Sequence, residues 1–505
     1  MNKKLFLLLF VVVMGVAGYL KFSADDVKAQ ELKKNKISIA MKADPKTLDP
    51  QKSIDTMSNK SITLIYDTLL DLDENLNLKP NLAESWERLD DCNVVFHLKK
   101  GVKFHNGEEL KAEDVKFTLE RAASSPQTLY LFKPITKVTV IDDYTVQVTT
   151  DKPFGALLAV QGGIVSKKAV LKYGDDYVNH PVGTGQYKLK EWLPGNRIVF
   201  EGFKDAYQGA PNFEELTYLT IPEVSNRMIA LETGEVDVAF DIGIMDKETI
   251  ENSNNLELVE VESPALLYLG FDQTNPIYQN KKLREAIAYA IDNQTFVDVV
   301  FRGSAVAGDS PLPKASPAYN GNVKKYNQDI EKAKKLLAEA GYPNGLDIEL
   351  WCMDDGPRVD MCVIIQDQLK KIGINVEIKI FEFGAYVSKT ALPNKELYFL
   401  SWNSSGDGDV ALYPLFHSSQ HGAPGNRSFY SNKKVDELLD KARVSVNEEE
   451  RTTLYNEVQN ILQEDLAIYP LAYPKINLAK NKNLTGLVFK KNGDIDLTNL
   501  DFNQK

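Results

Sequence analysis

Residues 94–121 read VVFHLKKGVKFHNGEELKAEDVKFTLER, and this stretch decides how the rest of the chain is interpreted. Alternating apolar residues predict a strand over residues 93–99, paired as a hairpin with residues 103–105. Asn106-Gly107 is a strong turn signal. Apolar residues then recur at helical spacing over residues 112–122 and form one apolar face. The stretch therefore predicts a strand pair that leads through a turn into an amphipathic helix.

The same two periodicities extend the prediction outward in both directions. On the N-terminal side and up to residue 291, we expect strands at 36–41, 141–150, 187–192, 197–202, 236–240 and 265–272, and helices at 58–70, 226–232 and 283–291. Beyond residue 272 the predicted helices lengthen, at 330–340, 360–371, 433–443 and 449–464, with strands at 347–351, 375–381, 397–402, 472–479 and 487–490. Alternation of strands and helices predicts a parallel-rich α/β lobe. We expect two α/β lobes with a cleft between them.

Length and charge narrow the classes of protein to consider. The chain has 505 residues, more than one hydrophobic core usually supports, so two or more lobes are expected. Its hydrophobic fraction of 43% and charged fraction of 26% are those of a globular protein. The net charge of -12 argues against sequence-independent binding of nucleic acid and against adhesion to anionic lipid.

The N-terminus predicts export. A short basic start precedes an apolar run over residues 5–17, which is the pattern of a signal peptide within residues 1–29. Ala17, Ala24 and Ala29 each offer a cleavage site, and an uncleaved membrane anchor is the alternative. The first cysteine is Cys92, so we expect an exported, periplasmic protein that is not a lipoprotein.

The cysteine count excludes a disulfide framework. The chain contains three cysteines, so one is always left over. Cys352 and Cys362 form a disulfide in one interpretation and remain reduced in the other. We expect stability to come from burial of the core.

Several motifs, taken in order along the chain, resemble one family. Besides residues 94–121 they are LAESW (82–86), PVGTGQY (181–187), LREAIAYAID (283–292) and KAKKLLAEAGYPNG (332–345). Together they resemble the peptide/nickel/opine family of extracellular solute-binding proteins. Shorter stretches are similar to the glutathione-binding branch of that family, namely DVALYPLF (409–416), FYSNKKVD (429–436) and NLTGLVF (483–489).

The resemblance implies an α/β fold of the periplasmic-binding-protein type II, cluster C, in which two crossing strands join two lobes. It implies a first lobe over residues 30–271 with an inserted subdomain at about 60–175. The second lobe is then expected over residues 272–478, and residues 479–505 return to the first lobe. Family members close over a ligand by a hinge motion and dock on a membrane permease of an ABC importer.

A peptide ligand presents an ammonium and a carboxylate, and each needs a countercharge when buried. For the ammonium we consider the loop at residues 401–409, SWNSSGDGD, with Trp402 as a packing wall. Peptide-binding relatives have an aspartate three residues after the tryptophan, where this chain has Ser405. Asp407 or Asp409 is then the candidate countercharge, with Ser404 and Ser405 beside them. The alternative is a turn with solvated charges.

For the carboxylate the candidate is Arg358, between a predicted strand and a predicted helix, where the resemblance implies a basic residue that pairs with a carboxylate. Arginine suits this role because a guanidinium binds a carboxylate through two parallel N–H groups. Neutralisation by Asp355 or exposure to solvent is the alternative. The first lobe and the hinge supply the remaining candidates, for which a position in the core is the competing interpretation: Asp55, Met57, Ser58, Tyr130, Thr184, Gly185 and Tyr268.

Two other classes of function compete with peptide capture. No nucleophile elbow, Walker loop or dinucleotide fingerprint occurs in a credible context, so we expect no catalysis and no cofactor. Uptake of nickel, a metal chelate or haem is the second alternative, because His417 and His421 lie four residues apart. The leading interpretation is a monomer that binds glutathione, a similar tripeptide, or a di- or oligopeptide. It then delivers this ligand to a permease.

Overall fold

The computed structural model describes residues 35–53, 55–74, 76–159, 162–404, 407–490 and 493–502. The side chains of Leu129 and Tyr130 are not part of that description. The predicted signal within residues 1–29 therefore lies outside the described residues, as does Ser405. Within the described ranges, no helix combines the length and apolar character needed to cross a bilayer.

Short strands and helices build the first part of the chain. In order they are β1 (Lys36–Met41), α1 (Thr56–Ile65), β2 (Leu70–Leu72), β3 (Leu78–Pro80), β4 (Ala83–Asp90), β5 (Asn93–Leu98), α2 (Ala112–Ser124), α3 (Leu129–Phe132), β6 (Ile135–Asp142), β7 (Thr145–Thr150), a 3-10 helix (Gly155–Leu158), α4 (Lys167–Tyr173), a 3-10 helix (Gly174–Asn179), β8 (Tyr187–Leu193), β9 (Arg197–Gly202), β10 (Glu215–Thr220), α5 (Val224–Glu232), β11 (Val238–Phe240), a 3-10 helix (Ile244–Asp246), α6 (Lys247–Glu251) and β12 (Leu256–Glu262).

Longer helices characterise the second part. Its elements are β13 (Ala265–Gly270), α7 (Pro276–Gln279), α8 (Lys281–Ala290), α9 (Asn293–Thr295), a π-helix (Phe296–Val300), β14 (Ala305–Ala307), α10 (Ile330–Glu339), β15 (Leu346–Met353), α11 (Gly356–Lys370), β16 (Ile374–Phe381), α12 (Phe383–Thr390), β17 (Leu397–Asn403), α13 (Gly408–Phe416), a 3-10 helix (Ser418–Gln420), α14 (Lys433–Val444), α15 (Glu448–Asp465), β18 (Ile468–Asn481), β19 (Leu484–Thr485), β20 (Val488–Phe489), β21 (Ile495–Asp496) and β22 (Asp501–Phe502).

In the first lobe the sheet order is β11-β1-β10-β9-β8. β1 runs parallel to both β10 and β11, whereas β8, β9 and β10 form an antiparallel meander. The alternating strand β1 buries Ile37 and Ile39 against α1 residues such as Ile62 and Ile65. The predicted strand at residues 36–41 is confirmed with the same bounds.

A separate antiparallel sheet, in the order β4-β5-β7-β6, is inserted into this lobe and has its own core. The predicted strand and helix at residues 93–99 and 112–122 are confirmed as β5 and α2. The predicted hairpin partner is wrong, because β5 pairs with β4 and β7 and not with residues 103–105. Two neighbouring strands pair with β5 over residues 93–98 and 93–97, which a three-residue segment cannot match.

In the second lobe β15 runs parallel to both β16 and β17, as the strand–helix alternation predicts. Neighbouring residues of β13 point to opposite faces of the sheet. Leu267 and Leu269 enter a core with α8, α10 and α11. Leu266 and Tyr268 enter a second core with α13, α14 and α15. Helices therefore cover both faces of the sheet in this lobe.

The lobes are joined where β18 runs through both of them. Its residues 475–481 pair with β12 of the first lobe, and residues 468–472 pair with β13 of the second lobe. The other crossing is at Ser263 and Pro264, between β12 and β13. β13 therefore already pairs within the second lobe, although we expect the boundary only between residues 271 and 272. The residue limits of the domains stay a prediction.

Candidate functional site

The loop after β17 begins at the hinge. The backbone N–H and the hydroxyl of Ser404 both donate to the carbonyl of Pro264, at 2.9 and 2.7 Å. Pro264 lies between β12 and β13, where the chain crosses between the lobes. Ser404 is fully buried by these contacts. The hydroxyl therefore ties the start of the loop to the hinge, and it is not directed at a ligand.

The far end of this loop is held by an ion pair. Asp407 is the N-cap of α13 and accepts from the backbone N–H of Asp409 at 2.8 Å. The same carboxylate accepts a hydrogen bond from Arg451 on α15. Its side chain is 13% exposed. The charge of Asp407 is thus balanced within the protein.

Asp409 is also neutralised. Its two carboxylate oxygens accept hydrogen bonds from Arg443 Nε and Nη2 at 2.8–3.2 Å. Burial raises the pKa of the Asp409 carboxyl, and the hydrogen bonds from Arg443 act in the opposite direction. That an ammonium binds Asp407 or Asp409 stays a prediction, but their arginine partners favour a structural role for both carboxylates.

Trp402, near the start of the loop, is fixed by a hydrogen bond to α13. Its indole N–H donates to the carbonyl of Ala411 on α13 at 3.0 Å, and the half-buried ring packs against the second-lobe core. This bond sets the orientation of the ring before any ligand arrives. The position suits the predicted packing wall.

Arg358 lies beside the strand that leads into the loop. It belongs to the first turn of α11, and its Nη2 donates to Ser401 Oγ on β17 at 3.1 Å. The nearest acidic group is Asp355, whose Oδ2 is 3.9 Å from Arg358 Nε, a distance too long for a hydrogen bond. The side chain is 20% exposed. Arg358 therefore retains donors for an added carboxylate.

The candidates on α1 have structural partners. Asp55 caps the helix by accepting from the N–H of Ser58 at 2.9 Å, and it also accepts the Ser58 hydroxyl at 2.7 Å. Ser58 is fully buried, and its oxygen accepts from the N–H of Lys46. Met57 packs on the first-lobe core. These contacts indicate that the three residues shape the start of α1.

The glycine-rich motif at residues 183–185 is also internal. Thr184 is fully buried and donates to Asp67 Oδ2 at 2.7 Å. A Cβ at Gly185 would lie 2.5 Å from the carbonyl oxygen of Leu64, so glycine is required by close packing on α1. Tyr268 is 2% exposed in the second-lobe core. In this conformation Thr184 and Tyr268 offer no surface to a ligand, whereas the side chain of Tyr130 lies outside the description.

The two histidines of the metal hypothesis hold a turn together. His417 stacks on Tyr413 at 4.2 Å and accepts from the N–H of Ser419 through Nδ1. His421 Nε2 hydrogen-bonds the carbonyl of Tyr430 at 3.0 Å. Across the described residues, no three histidine, cysteine or acidic side chains are grouped to hold a metal ion. Cys92, Cys352 and Cys362 are free thiols, the last two of them buried.

One further contact between the lobes could not be predicted from the sequence. Gly155, in the inserted subdomain, packs directly on Ser445 and Arg451 of the second lobe. Arg451 is the partner of Asp407, so the loop extends from the hinge at Ser404 to the vicinity of this contact. One end of the loop therefore lies at the hinge and the other lies near this interlobe contact.

Two lobes, two crossing strands and a loop held between hinge and interlobe contact define a bilobal solute-binding protein. The chain belongs to the bacterial extracellular solute-binding proteins of family 5, whose model matches residues 77–423. It is 33% identical over 468 residues to the glutathione-binding protein GsiB of Salmonella choleraesuis, covering 89% of this chain and 91% of that one.

Solved structures show the same fold. The periplasmic binding protein DppA of Helicobacter pylori, in complex with the peptide STSA, has a TM-score of 0.80 and 29% identity, covering 95% of this chain and 100% of that one. NikZ of Campylobacter jejuni, in complex with Ni(L-His), has a TM-score of 0.79 and 27% identity, covering 92% and 98%. The predicted fold class and family are confirmed, and these two similar structures hold ligands of different chemistry.

Proposed function

We propose that this protein captures a short peptide in the cleft between its lobes and delivers it to the membrane permease of an ABC importer. Glutathione or a similar tripeptide is the leading ligand, and di- and oligopeptides are the next candidates. The protein acts as a monomer and without catalysis. Residues 1–29 direct its export to the periplasm, where it remains without a lipid anchor.

The position of the loop at residues 401–409 carries this proposal. Ser404 ties one end of the loop to Pro264 at the hinge, and the Asp407–Arg451 ion pair holds the other end near the interlobe contact. A ligand that touches this loop also touches the surfaces that move during closure. Ligand contacts with both lobes favour the closed state, because a ligand shifts a conformational equilibrium by its differential affinity for the two states.

Arg358 is proposed to bind the C-terminal carboxylate of the peptide. Its nearest acidic group is 3.9 Å away, and its hydrogen bond to Ser401 directs the guanidinium along β17 towards the loop. A planar guanidinium can donate two parallel N–H groups to one carboxylate, and this geometry is stronger than a single neutral hydrogen bond. Closure then removes water from the pair and strengthens it.

The test is a calorimetric titration of residues 30–505 after unfolding and refolding, which removes any ligand carried from the host. Reduced glutathione, oxidised glutathione, a panel of di- and tripeptides, and nickel with histidine are compared. We expect one-to-one binding of a peptide class. Binding of nickel with histidine alone would transfer the proposal to metal-chelate uptake, and no binding across the panel would remove the peptide assignment.

A further inference from the structure

The inserted subdomain touches the second lobe through the backbone of one glycine. Gly155 begins a 3-10 helix in the first lobe. A Cβ added there would overlap the carbonyl oxygen of Ser445 and lie 2.7 Å from Arg451 Nε. The three heavy atoms nearest to this added Cβ all belong to Ser445 and Arg451. The residue is therefore packed against the opposite lobe.

The local backbone does not itself demand glycine at this position. The φ angle of Gly155 lies outside the left-handed range in which L side chains are strained. Gly155 differs in this respect from Gly101 and Gly107, where φ is +76° and +83°. The reason for glycine at residue 155 is the close approach of Ser445 and Arg451 from the second lobe.

On the opposite side of this contact, Arg451 is held by several hydrogen bonds, one of them to the loop at residues 401–409. Arg451 Nε donates to the carbonyl of Ala442 at 3.3 Å, and Nη2 donates to Tyr455 Oη at 3.0 Å and to Asp407. Burial opposes the charged form of Arg451, but its pKa is raised because Asp407 outweighs that effect. A side chain at residue 155 would thus meet a group that three hydrogen bonds hold in place.

We propose that Gly155 is a positioning residue for closure: its missing side chain lets the inserted subdomain seat on Ser445 and Arg451, and so brings the first lobe to the loop that contacts the ligand. The inference rests on the proposed function, because it assigns a step of peptide capture. Without this contact the lobes do not reach the closed state, and contacts from the first lobe to the ligand are lost.

The experiment compares the wild type with Gly155→Ala and Gly155→Val. Small-angle X-ray scattering measures the radius of gyration with and without saturating peptide, and calorimetry measures the dissociation constant. Apparent affinity falls by the same factor as the population of the competent state. We expect Gly155→Val to bind about tenfold or more weakly, to show little compaction on binding, and to exceed the effect of Gly155→Ala.

Thr136→Val is the control, since it places a valine on an exposed position of β6 in the same subdomain. It is expected to bind and compact as the wild type does. Thermal unfolding without ligand checks that each variant folds; we expect wild-type midpoints, because an open protein avoids the clash. Gly155→Ala supplies the comparison if the valine variant does not fold.

The outcomes separate the two proposals. Wild-type compaction and affinity in both Gly155 variants would overturn the role of Gly155 while leaving peptide capture intact. Failure of the wild type to bind any peptide would instead overturn the proposed function. Weak binding by Gly155→Val with full compaction would also contradict the inference, because the loss would then not arise from incomplete closure.

Discussion

The arginines around the loop at residues 401–409 differ in how many of their hydrogen-bond donors neighbouring residues already occupy. Arg443 donates to Asp409 through two nitrogens, and Arg451 donates to Asp407, to the Tyr455 hydroxyl and to the Ala442 carbonyl. Arg358 donates to two neutral groups, the Ser401 hydroxyl and the Met353 sulfur, and its nearest carboxylate is 3.9 Å away. A ligand carboxylate at Arg358 would therefore compete with no hydrogen-bonded carboxylate of the protein.

Replacing Arg358 by alanine tests its role. We expect peptide affinity to fall by about thirtyfold or more, since loss of one partner of a desolvated charge pair costs about 2–5 kcal/mol. A C-terminally amidated peptide should bind the wild type weakly and lose little further affinity in Arg358→Ala. Calorimetry with both peptides measures this difference.

Lys371→Ala is the matched control, because it removes a cation at the other end of the same helix, where Lys371 pairs with Asp367 at 3.4 Å. Its affinity should equal that of the wild type. Equal losses for free and amidated peptides in Arg358→Ala would show that this arginine does not bind the carboxylate.

For Asp407 we expect an effect on stability. Asp407→Asn leaves Arg451 largely buried without its counterion, and breaking a buried pair costs about 3–5 kcal/mol. The double variant Asp407→Asn/Arg451→Met should recover part of the loss. Urea denaturation measures both. The contrary result is unchanged stability, together with equal affinity of Asp407→Asn for peptides with a free and with an acetylated N-terminus. That result would assign Asp407 to the ammonium.

At the scale of elements, His105 joins the turn after β5 to the segment that precedes β8. Its Nε2–H donates to the carbonyl of Gly185 at 2.8 Å, and Nδ1 accepts from the N–H of Gly183 at 3.4 Å. The bond from Gly183 needs the neutral ring, because a protonated Nδ1 cannot accept. Burial lowers the pKa of His105 from 6.5 to about 4.

This shift predicts a pH dependence of stability. Between pH 6.5 and 4 the unfolded chain binds a proton at His105 that the folded chain does not bind, so the free energy of unfolding falls as the pH falls. The contribution is fully present above pH 6.5, and about 3 kcal/mol of stability is lost once the pH has fallen to 4.

Urea denaturation at pH 7, 6 and 5 measures the slope. His105→Gln should be less stable than the wild type at pH 7 and should show a shallower loss on acidification. His97→Gln replaces the half-buried histidine of the same motif and should keep the wild-type slope. An unchanged slope in His105→Gln would place the protonation elsewhere.

Helix α13 shows why some elements escape prediction. It buries Ala411, Leu412, Leu415 and Phe416, and Pro414 lies inside it. A helix that is apolar on most of its surface has no polar face to reveal a period of 3.6. The amphipathic helices α10 and α15, by contrast, are found within one or two residues of their predicted bounds.

At the scale of the whole molecule, β18 joins both lobes into one sheet, so a ligand bound between them stabilises the entire chain. Peptide at 100 times its dissociation constant should raise the free energy of unfolding by about 2.7 kcal/mol. Thermal unfolding followed by circular dichroism measures the rise of the midpoint. Arg358→Ala should show a smaller rise at the same peptide concentration. A midpoint independent of peptide would contradict binding to the folded state.

The sequence by itself determined the two-lobed α/β architecture, most strands and helices, and the family. These follow from periodicity and from motifs that are contiguous in the chain, where neighbouring residues act on one another directly. Arg358 and Trp402 were proposed beside predicted strand ends, and their contact with a ligand stays a prediction.

Only the tertiary structure decided which candidates are free to act. Asp409 meets Arg443 and Asp407 meets Arg451 across 34 and 44 residues, and Gly155 meets Ser445 from the other lobe. Ser58, Thr184 and Tyr268 are buried by packing with distant segments. Pairing and burial of this kind depend on how elements pack in three dimensions, and the local residue pattern contains no record of it.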